Sequence, residues 1–164
     1  MAIYLKQLTI DDDEKIYNML QTIDRNENEF KNPVKDMTYE EFRCWLIEQD
    51  NWSKGINLPH GYVPQTIYWL YDNENPVGIG KIRHKLTEHS SNRGGNIGYA
   101  ISSIERGKGY GCQLISLLKK KCDEIGVLER LLTVEKYNPI SRRAIEKSGG
   151  KLIKEDREKW FFKI

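Results

Sequence analysis

ISSIERGKGYG, residues 101–111, stands between a strand-like segment, Asn96–Ser102 (NIGYAIS), and a helix-like one, Cys112–Ile125. Three glycines at alternate positions (Gly107, Gly109, Gly111) allow a tight bend and expose successive N–H groups. Those groups lie where a helix begins, and its unpaired donors and dipole favour an anion. Arg106 and Lys108 add positive charge, so a pyrophosphate suits the loop. The simpler reading is a turn joining strand to helix, but three glycines and two basic residues in six positions exceed what a turn requires. The spacing is GxGxG. It matches neither the P-loop pattern GxxxxGK[ST] nor the dinucleotide pattern GxGxxG, whose usual place is an N-terminal βαβ unit.

Downstream of the loop, Leu114, Leu117, Leu118, Cys122 and Ile125 form one helical stripe that Gly126 ends. Arg130–Tyr137 (RLLTVEKY) reads as a strand, so residues 96–137 form a parallel strand–helix–strand crossover. Asn138–Ser148 is a short helix, and Lys151–Glu155 and Lys159–Ile164 are closing strands. Upstream, Thr66–Tyr71 and Val77–Leu86 form a hairpin across DNENP. Gly78 and Gly80 in the returning strand imply a bulge or close backbone approach. IYLKQL (3–8) alternates as a strand, and Asp11–Asp13 cap a helix carrying Ile16, Met19, Leu20 and Ile23. A second helix spans Tyr39–Ile47 behind a Thr38–Glu41 capping box. Residues 53–64 and 87–95 read as loops. The class is α/β (α+β, mixed sheet), in the order β-α-α-β-β-β-α-β-α-β-β.

The 164 residues suit a single domain, 1–164. With 38% apolar and 30% charged residues, and no window of about 20 apolar residues, no membrane partner is expected. The N-terminal stretch has no signal-peptide pattern. Three cysteines without a CxxC pair argue against a disulfide framework and a zinc site, and fit a cytoplasmic location with no metal. A net charge of +2 does not advertise nucleic acid. Residues 1–61 carry seven Lys/Arg against twelve Asp/Glu, and residues 62–164 carry nineteen against twelve. Two readings stand: opposed binding surfaces, or a solvated surface with chance asymmetry. On the first, the polyanionic ligand meets 62–164. Its co-reactant meets Asp24, Glu27 and Glu29 and is cationic, either a small molecule or a peptide.

Arg106, Gly109 and Gly111, after a strand and opening a helix, resemble the acetyl-CoA loop of the GCN5-related N-acetyltransferases (GNAT family). IGYAIS resembles that family's pantetheine-binding strand. TVEKYNPISRRAIEKSGG (133–150) resembles its second signature, with Asn138 at the family's asparagine and Gly149-Gly150 where Gly-Phe often stands. IRHKL, GGNIGY, ERGKGYG and IEKSGG are similar to a bacterial branch known mostly as predicted acetyltransferases. The resemblance covers about residues 62–164, more faintly the first strand and helix. It implies a V-shaped split between the parallel strands Asn96–Ser102 and Arg130–Tyr137. Pantetheine would pair with the backbone of Ile101 and Ser103. The pyrophosphate would rest on Arg106, Gly107, Lys108, Gly109, Tyr110, Gly111 and Cys112. Asn138 and Ser141 would add pantetheine contacts. A backbone N–H near Ile101 would meet the charge developing on the acyl oxygen.

The catalytic groups are less defined. Asn-Pro at 138–139 starts a helix by itself, with Asn138 as cap. Ser141 and Ile145 follow on its face. Many family members carry a tyrosine at Ile145 that protonates the leaving thiolate, which isoleucine cannot do. Ser141, Tyr137 and Tyr110 are the hydroxyls nearby in sequence. For the base, His84 shares a strand face with Ile82 and Leu86, and Glu135 lies late in a strand. Asn96, where the branch often has histidine, can orient a water but not take a proton. His84 as a core residue, Glu135 as a surface carboxylate and Ser141 as packing are the plain alternatives. Glu88 and His89 lie in a loop, Trp45, Trp52 and Tyr62 could line a substrate pocket, and Cys112 at a helix start could carry an acyl group. The function implied is acetyl transfer from acetyl-CoA to a primary amine by direct attack, with a homodimer possible. The competing readings are a non-catalytic CoA-binding regulatory module, motivated by Ile145 and Asn96, and a nucleotide-binding protein of another kind.

Overall fold

A computed structural model of the chain describes residues 2–27 and 29–164. Strand β1 (Ile3–Gln7) leads into helix α1 (Glu14–Gln21), capped by Asp13, whose side chain accepts from the Lys15 N–H. Asp12, one residue earlier, is buried and accepts from the Trp69 indole at 2.7 Å and the Thr9 N–H at 2.9 Å. A two-residue-strand hairpin follows, β2 (Asn26–Glu27) with β3 (Phe30–Lys31), where the sequence pattern shows only a polar segment. Helix α2 (Tyr39–Ser53) carries the expected capping box but runs beyond Ile47, because no breaker stands before Gly55. Then come β4 (Gln65–Asp72), β5 (Asn75–Arg83), a short helix α3 (Glu88–Asn92) within the expected 87–95 loop, and β6 (Ile97–Ile101). A 3-10 turn, Ser103–Glu105, precedes helix α4 (Tyr110–Ile125). The chain ends with β7 (Leu131–Glu135), α5 (Pro139–Lys147), β8 (Lys151–Glu155) and β9 (Lys159–Lys163).

The strands form two main sheets, β1-β4-β5-β6 and β7-β9-β8, antiparallel throughout. One face of the first sheet (Ile67, Trp69, Ile79) packs on α1 and α2. The other (Tyr68, Leu70, Ile82) packs on α4 and on β7 and β9. Alternation of side chains along β4 and β5 makes both faces apolar, as a sheet covered on both sides requires. Gly80 is needed for that covering: a Cβ there would stand 2.7 Å from the Leu118 Cδ2 of α4. The α4 stripe differs from the expected one in that Ile115 is fully buried while Ile125 is 42% exposed.

The crossover β6–α4–β7 joins the two sheets without closing them. The Asn96 N–H donates to Leu131 O at 3.0 Å, and the Asn96 side-chain Oδ1 accepts from the Leu131 N–H at 2.7 Å. Beyond this junction β6 and β7 belong to different sheets and separate as they run. The expected V-shaped split is thus seen as two sheets that meet at one bridge and diverge from it.

Candidate active site

The wedge between β6 and β7 opens into a cavity of about 1700 Å3. That exceeds the roughly 300–1,000 Å3 of an ordinary single-ligand pocket, so it has room for two reactants. Its walls follow from strand parity. The Ser102 N–H donates to Val77 O, and the Arg83 N–H to Asn96 O, so the even-numbered residues of β6 address β5. In an antiparallel pair the intervening residues point their backbone groups the other way. The N–H and C=O of Tyr99 and Ile101 therefore face the wedge. The same reasoning applies to β7, where the Lys136 N–H donates to Glu158 O and leaves Thr133 and Glu135 facing the wedge. Ser103, expected to pair alongside Ile101, lies in the 3-10 turn and is exposed.

The glycine loop closes one end. Gly107 and Gly109 have φ of 80° and 82°, and no atom lies within 4 Å of where a Cβ would be. Gly109 caps α4 in the left-handed conformation without a side-chain cap. The first turn of a helix has no intrahelical acceptors, and the N–H groups of Tyr110, Gly111 and Cys112 have no other acceptor among the described residues. Open space above unpaired donors fits a phosphate. Arg106 lines this end; its Nη2 lies 2.6 Å from the Glu27 carboxylate and 3.4 Å from Ile101 O. Lys108 is not part of the lining and pairs with Glu105. The Tyr110 ring turns into the core, its hydroxyl on Asp72, so only its main chain reaches the cavity end. The Cys112 thiol lies 3.8 Å from Ala144 O.

The remaining sequence candidates separate. Asn138 caps α5, its Oδ1 accepting from the Ser141 N–H, and its Nδ2 has no acceptor among the described residues. The Ser141 Oγ is 2.6 Å from the Tyr99 hydroxyl, across the wedge from β6. Ile145 is wholly buried and faces the core, so it does not share the exposure of Ser141. Asn96 is 1% exposed, with its amide committed to Arg83 O, Glu129 O and the Leu131 N–H. All its hydrogen-bonding groups serve the junction. His84 lies past the end of β5 and outside the cavity lining; its Nε2 is 2.7 Å from the Thr66 Oγ1, and burial lowers its pKa. Glu135 reaches the cavity but stands 3.6 Å from the Lys159 ammonium. Tyr137 is 69% exposed and not in the lining. Trp45, Trp52 and Tyr62 line the end opposite the glycine loop, as does His89, while Glu88 does not.

Two groups in the wedge stand outside the expected catalytic set, Glu29 being expected only as an acidic contact for the acceptor. Tyr99 had no motif of its own beyond its place in the strand. Glu29, on the turn between β2 and β3, reaches into the wedge. Its Oε2 accepts from the Thr133 hydroxyl of β7 at 2.7 Å, and its Oε1 is buried without a hydrogen-bond partner. Burial pushes the Glu29 carboxyl up to about 7, against the pull of the Thr133 hydrogen bond and Lys159. A base poised near neutrality is what proton abstraction requires. Burial also pushes Tyr99 up to about 12.

Among the described residues there is no cluster of three or more metal-ligating side chains, and no helix is long and apolar enough to cross a membrane. No curated protein matches the chain significantly. Solved structures do. The ribosomal-protein-S5-alanine acetyltransferase of Vibrio fischeri superposes with a TM-score of 0.73 at 12% identity, over 100% of this chain and 93% of that one. A GNAT-family acetyltransferase from Streptococcus pneumoniae gives 0.66 at 16%, over 99% and 98%. The Campylobacter jejuni N-acetyltransferase PseH, in complex with acetyl coenzyme A, gives 0.63 at 11%, over 99% and 98%. At such identities these likenesses establish the fold. The family model for the GNAT acetyltransferases matches residues 17–150, spanning the split, the glycine loop and the capped helix α5, and the chain belongs to that family.

Proposed function

We propose that this acetyltransferase moves an acetyl group from acetyl-CoA to a primary amine by direct attack. The observation carrying this reading is the set of outward main-chain groups of Tyr99 and Ile101 in the wedge, followed by the unpaired N–H groups in the first turn of α4. A phosphopantetheine arm needs amide partners along its length and N–H donors at its pyrophosphate, and this set supplies both in sequence. CoA fits residues Ile101, Arg106, Gly107, Gly109, Gly111 and Cys112 on these grounds, with Asn138 Nδ2 as a further donor.

Glu29 takes the ammonium proton through its unpartnered Oε1, which frees the lone pair that attacks the thioester carbon. Backbone N–H groups of β6 facing the wedge meet the charge on the acyl oxygen. The C–N bond forms first, and the resulting tetrahedral intermediate collapses with cleavage of the C–S bond. The CoA sulfur leaves as thiolate, and the second nitrogen proton passes to that thiolate or to solvent, leaving the neutral amide. The Tyr99–Ser141 pair donates a hydrogen bond to that sulfur and keeps its protons. A phenol at about 12 is a much weaker acid than a thiol near 8.5, so full transfer to the thiolate would be uphill.

Release of thiol from acetyl-CoA, followed with a panel of amines, tests the reading directly. Turnover dependent on amine and lowered about 10²–10⁴-fold by E29Q supports it. CoA binding without turnover on any amine would favour the regulatory module, and preference for ATP or NAD over CoA would reject both.

A further inference from the structure

At the end of the cavity away from the glycine loop, Lys31, Lys81 and Arg83 line the wall. Lys81 and Arg83 alternate along β5, so both point to the side of the sheet that packs on α1 and α2. Lys81 stands opposite Gly98 on β6 and Ile67 on β4. Gly98 leaves room above the sheet that the Phe30 ring enters, and the Lys81 Nζ lies 5.4 Å from that ring's centroid. Beside it, the buried amides of Gln49 and Gln65 bond to each other at 2.8 Å. Arg83 uses one nitrogen on Gly95 O at 3.1 Å. Among the described residues no carboxylate lies within ion-pairing distance of Lys81, Arg83 or the neighbouring Lys31, and Lys81 donates no hydrogen bond to the protein.

We infer that Lys81 and Arg83 form an anion-binding subsite, and that the acceptor is an amine carrying its own carboxylate or phosphate. This rests on the acetyltransferase reading and narrows its substrate. A partly buried ammonium with two cationic neighbours and no counterion is costly to hold. Burial, Arg83 and Lys31 push Lys81 down to about 8, and an anion would reverse that shift. An acceptor that also carries an anionic group departs from the cationic one that the charge distribution alone suggests. Of the acidic residues in the first third, Glu27 is paired with Arg106, while Glu29 holds Thr133 through Oε2 and keeps Oε1 free for the amine. The acceptor end carries Lys81 and Arg83 from β5, with Glu48 of α2 also in the lining. The acceptor's amine would then lie toward Glu29 in the wedge and its anionic group toward Lys81.

Two matched pairs of amines test this: phosphoethanolamine against ethanolamine, and β-alanine against β-alaninamide. The anionic member should be acetylated with a kcat/KM about 10- to 100-fold higher, the scale of a charge-assisted hydrogen bond. Lys81→Gln should erase most of that ratio, chiefly through KM, leave the Kd for CoA unchanged, and be partly rescued by Lys81→Arg. Which pair responds more separates phosphate from carboxylate. A wild-type ratio near one, or a K81Q variant that keeps the ratio while slowing both members equally, would overturn the subsite. In the latter case Lys81 would act on the amine's own pKa. Should no amine be acetylated, the acyl-transfer reading fails, and the subsite is read without it. Inorganic phosphate added to CoA-saturated protein should quench tryptophan fluorescence, with about 10-fold weaker affinity in K81Q. Equal affinity, or no binding, would reject the site.

Discussion

The two ends of the cavity are built by different means. The glycine-loop end is made of main chain: a helix start, two left-handed glycines and a strand whose outward N–H groups have no acceptor among the described residues. The acceptor end is made of side chains brought from far apart. Glu29 meets Thr133 across 104 positions of sequence, and Tyr99 meets Ser141 across 42. Main-chain sites need particular local conformations, so they leave glycines at fixed spacing in the sequence. Side-chain sites need only that the fold bring two residues together, and no local pattern records that. A shared scaffold can therefore keep one end constant in construction and vary the other.

The largest effect should come from the side-chain end. Glu29→Gln removes the proton acceptor, and kcat should fall by about 10²–10⁴-fold, the usual contribution of general base catalysis. In the parent, kcat/KM should rise with pH through about 7 as Glu29 ionises, with no fall to pH 9 from Tyr99, which keeps its proton; with an anionic acceptor it should fall above about 8 as Lys81 loses its own. E29Q should lose the rise at 7. The same substitution should stabilise the fold at pH 8. A carboxyl raised from 4.5 to about 7 in the folded state contributes stability below 4.5 that is lost as pH climbs through about 7. Glutamine carries no such loss. Thermal unfolding of both proteins at pH 5 and pH 8 checks the sign, and a parent more stable than E29Q at pH 8 would contradict the burial argument.

The glycine-loop end should respond through cofactor affinity. Gly109→Val places a branched side chain where φ is 82° and where the phosphate would stand. CoA affinity should fall at least about 5- to 30-fold, since the left-handed conformation alone costs a non-glycine residue about 1–2 kcal/mol. Gly111→Ala makes the comparison: its Cβ would meet Ala144 and Tyr99 at an ordinary 3.8 Å, so the loss should be much smaller. Calorimetric titration with CoA on both variants, with circular dichroism to confirm folding, distinguishes the two positions. Equal losses would mean that any added carbon blocks the loop.

What could be read from the sequence follows the same division. The glycine loop, the crossover, the Thr38–Glu41 capping box and the Asn138 cap each depend on neighbours within a few residues, and each stands where the residue pattern puts it. The β2–β3 hairpin was illegible because strands of two residues have no periodicity. Glu29 sits on that hairpin, so its reach into the wedge was illegible with it. Helix α3 left a trace in Thr87 and Ser90, which form its capping box, but its five residues carry no apolar stripe. Asn96 shows a different failure. Its type and position suggest a site residue, yet its amide is spent on holding two strand starts together.

Ile145 gives a test of intermediate size. Helical spacing alone puts it on the face of Asn138 and Ser141, where a tyrosine would supply an acid. In the fold it is wholly buried, and Gly150 packs so closely that a Cβ there would lie 2.4 Å from the Ile145 Cγ2. Ile145→Tyr should therefore add no catalytic power and should destabilise the protein by about 1–3 kcal/mol, the cost of overpacking a filled core. Urea unfolding reads the loss. An active variant of unchanged stability would show that α5 can rotate to present position 145 to the wedge.

The smallest effect couples the two ends. Glu27, on the acceptor-side hairpin, holds Arg106 of the glycine loop at 2.6 Å, and that guanidinium also lies 3.4 Å from Ile101 O. Arg106 thus sits on a carbonyl that a pantetheine amide would use, and is paired with a carboxylate where a phosphate would compete. Its side chain is 46% exposed, so the pair is worth little, about 0.2–1 kcal/mol. Glu27→Gln should release Arg106 and tighten CoA binding about 1.4- to 5-fold. Because the pair is partly exposed, the gain should shrink between 50 mM and 500 mM salt, where screening has already weakened the competition. Weaker CoA binding in E27Q would carry the opposite lesson. It would mean that Glu27 aims Arg106 at the pyrophosphate, so that the hairpin bearing Glu29 and the loop binding the cofactor form a single preorganised unit.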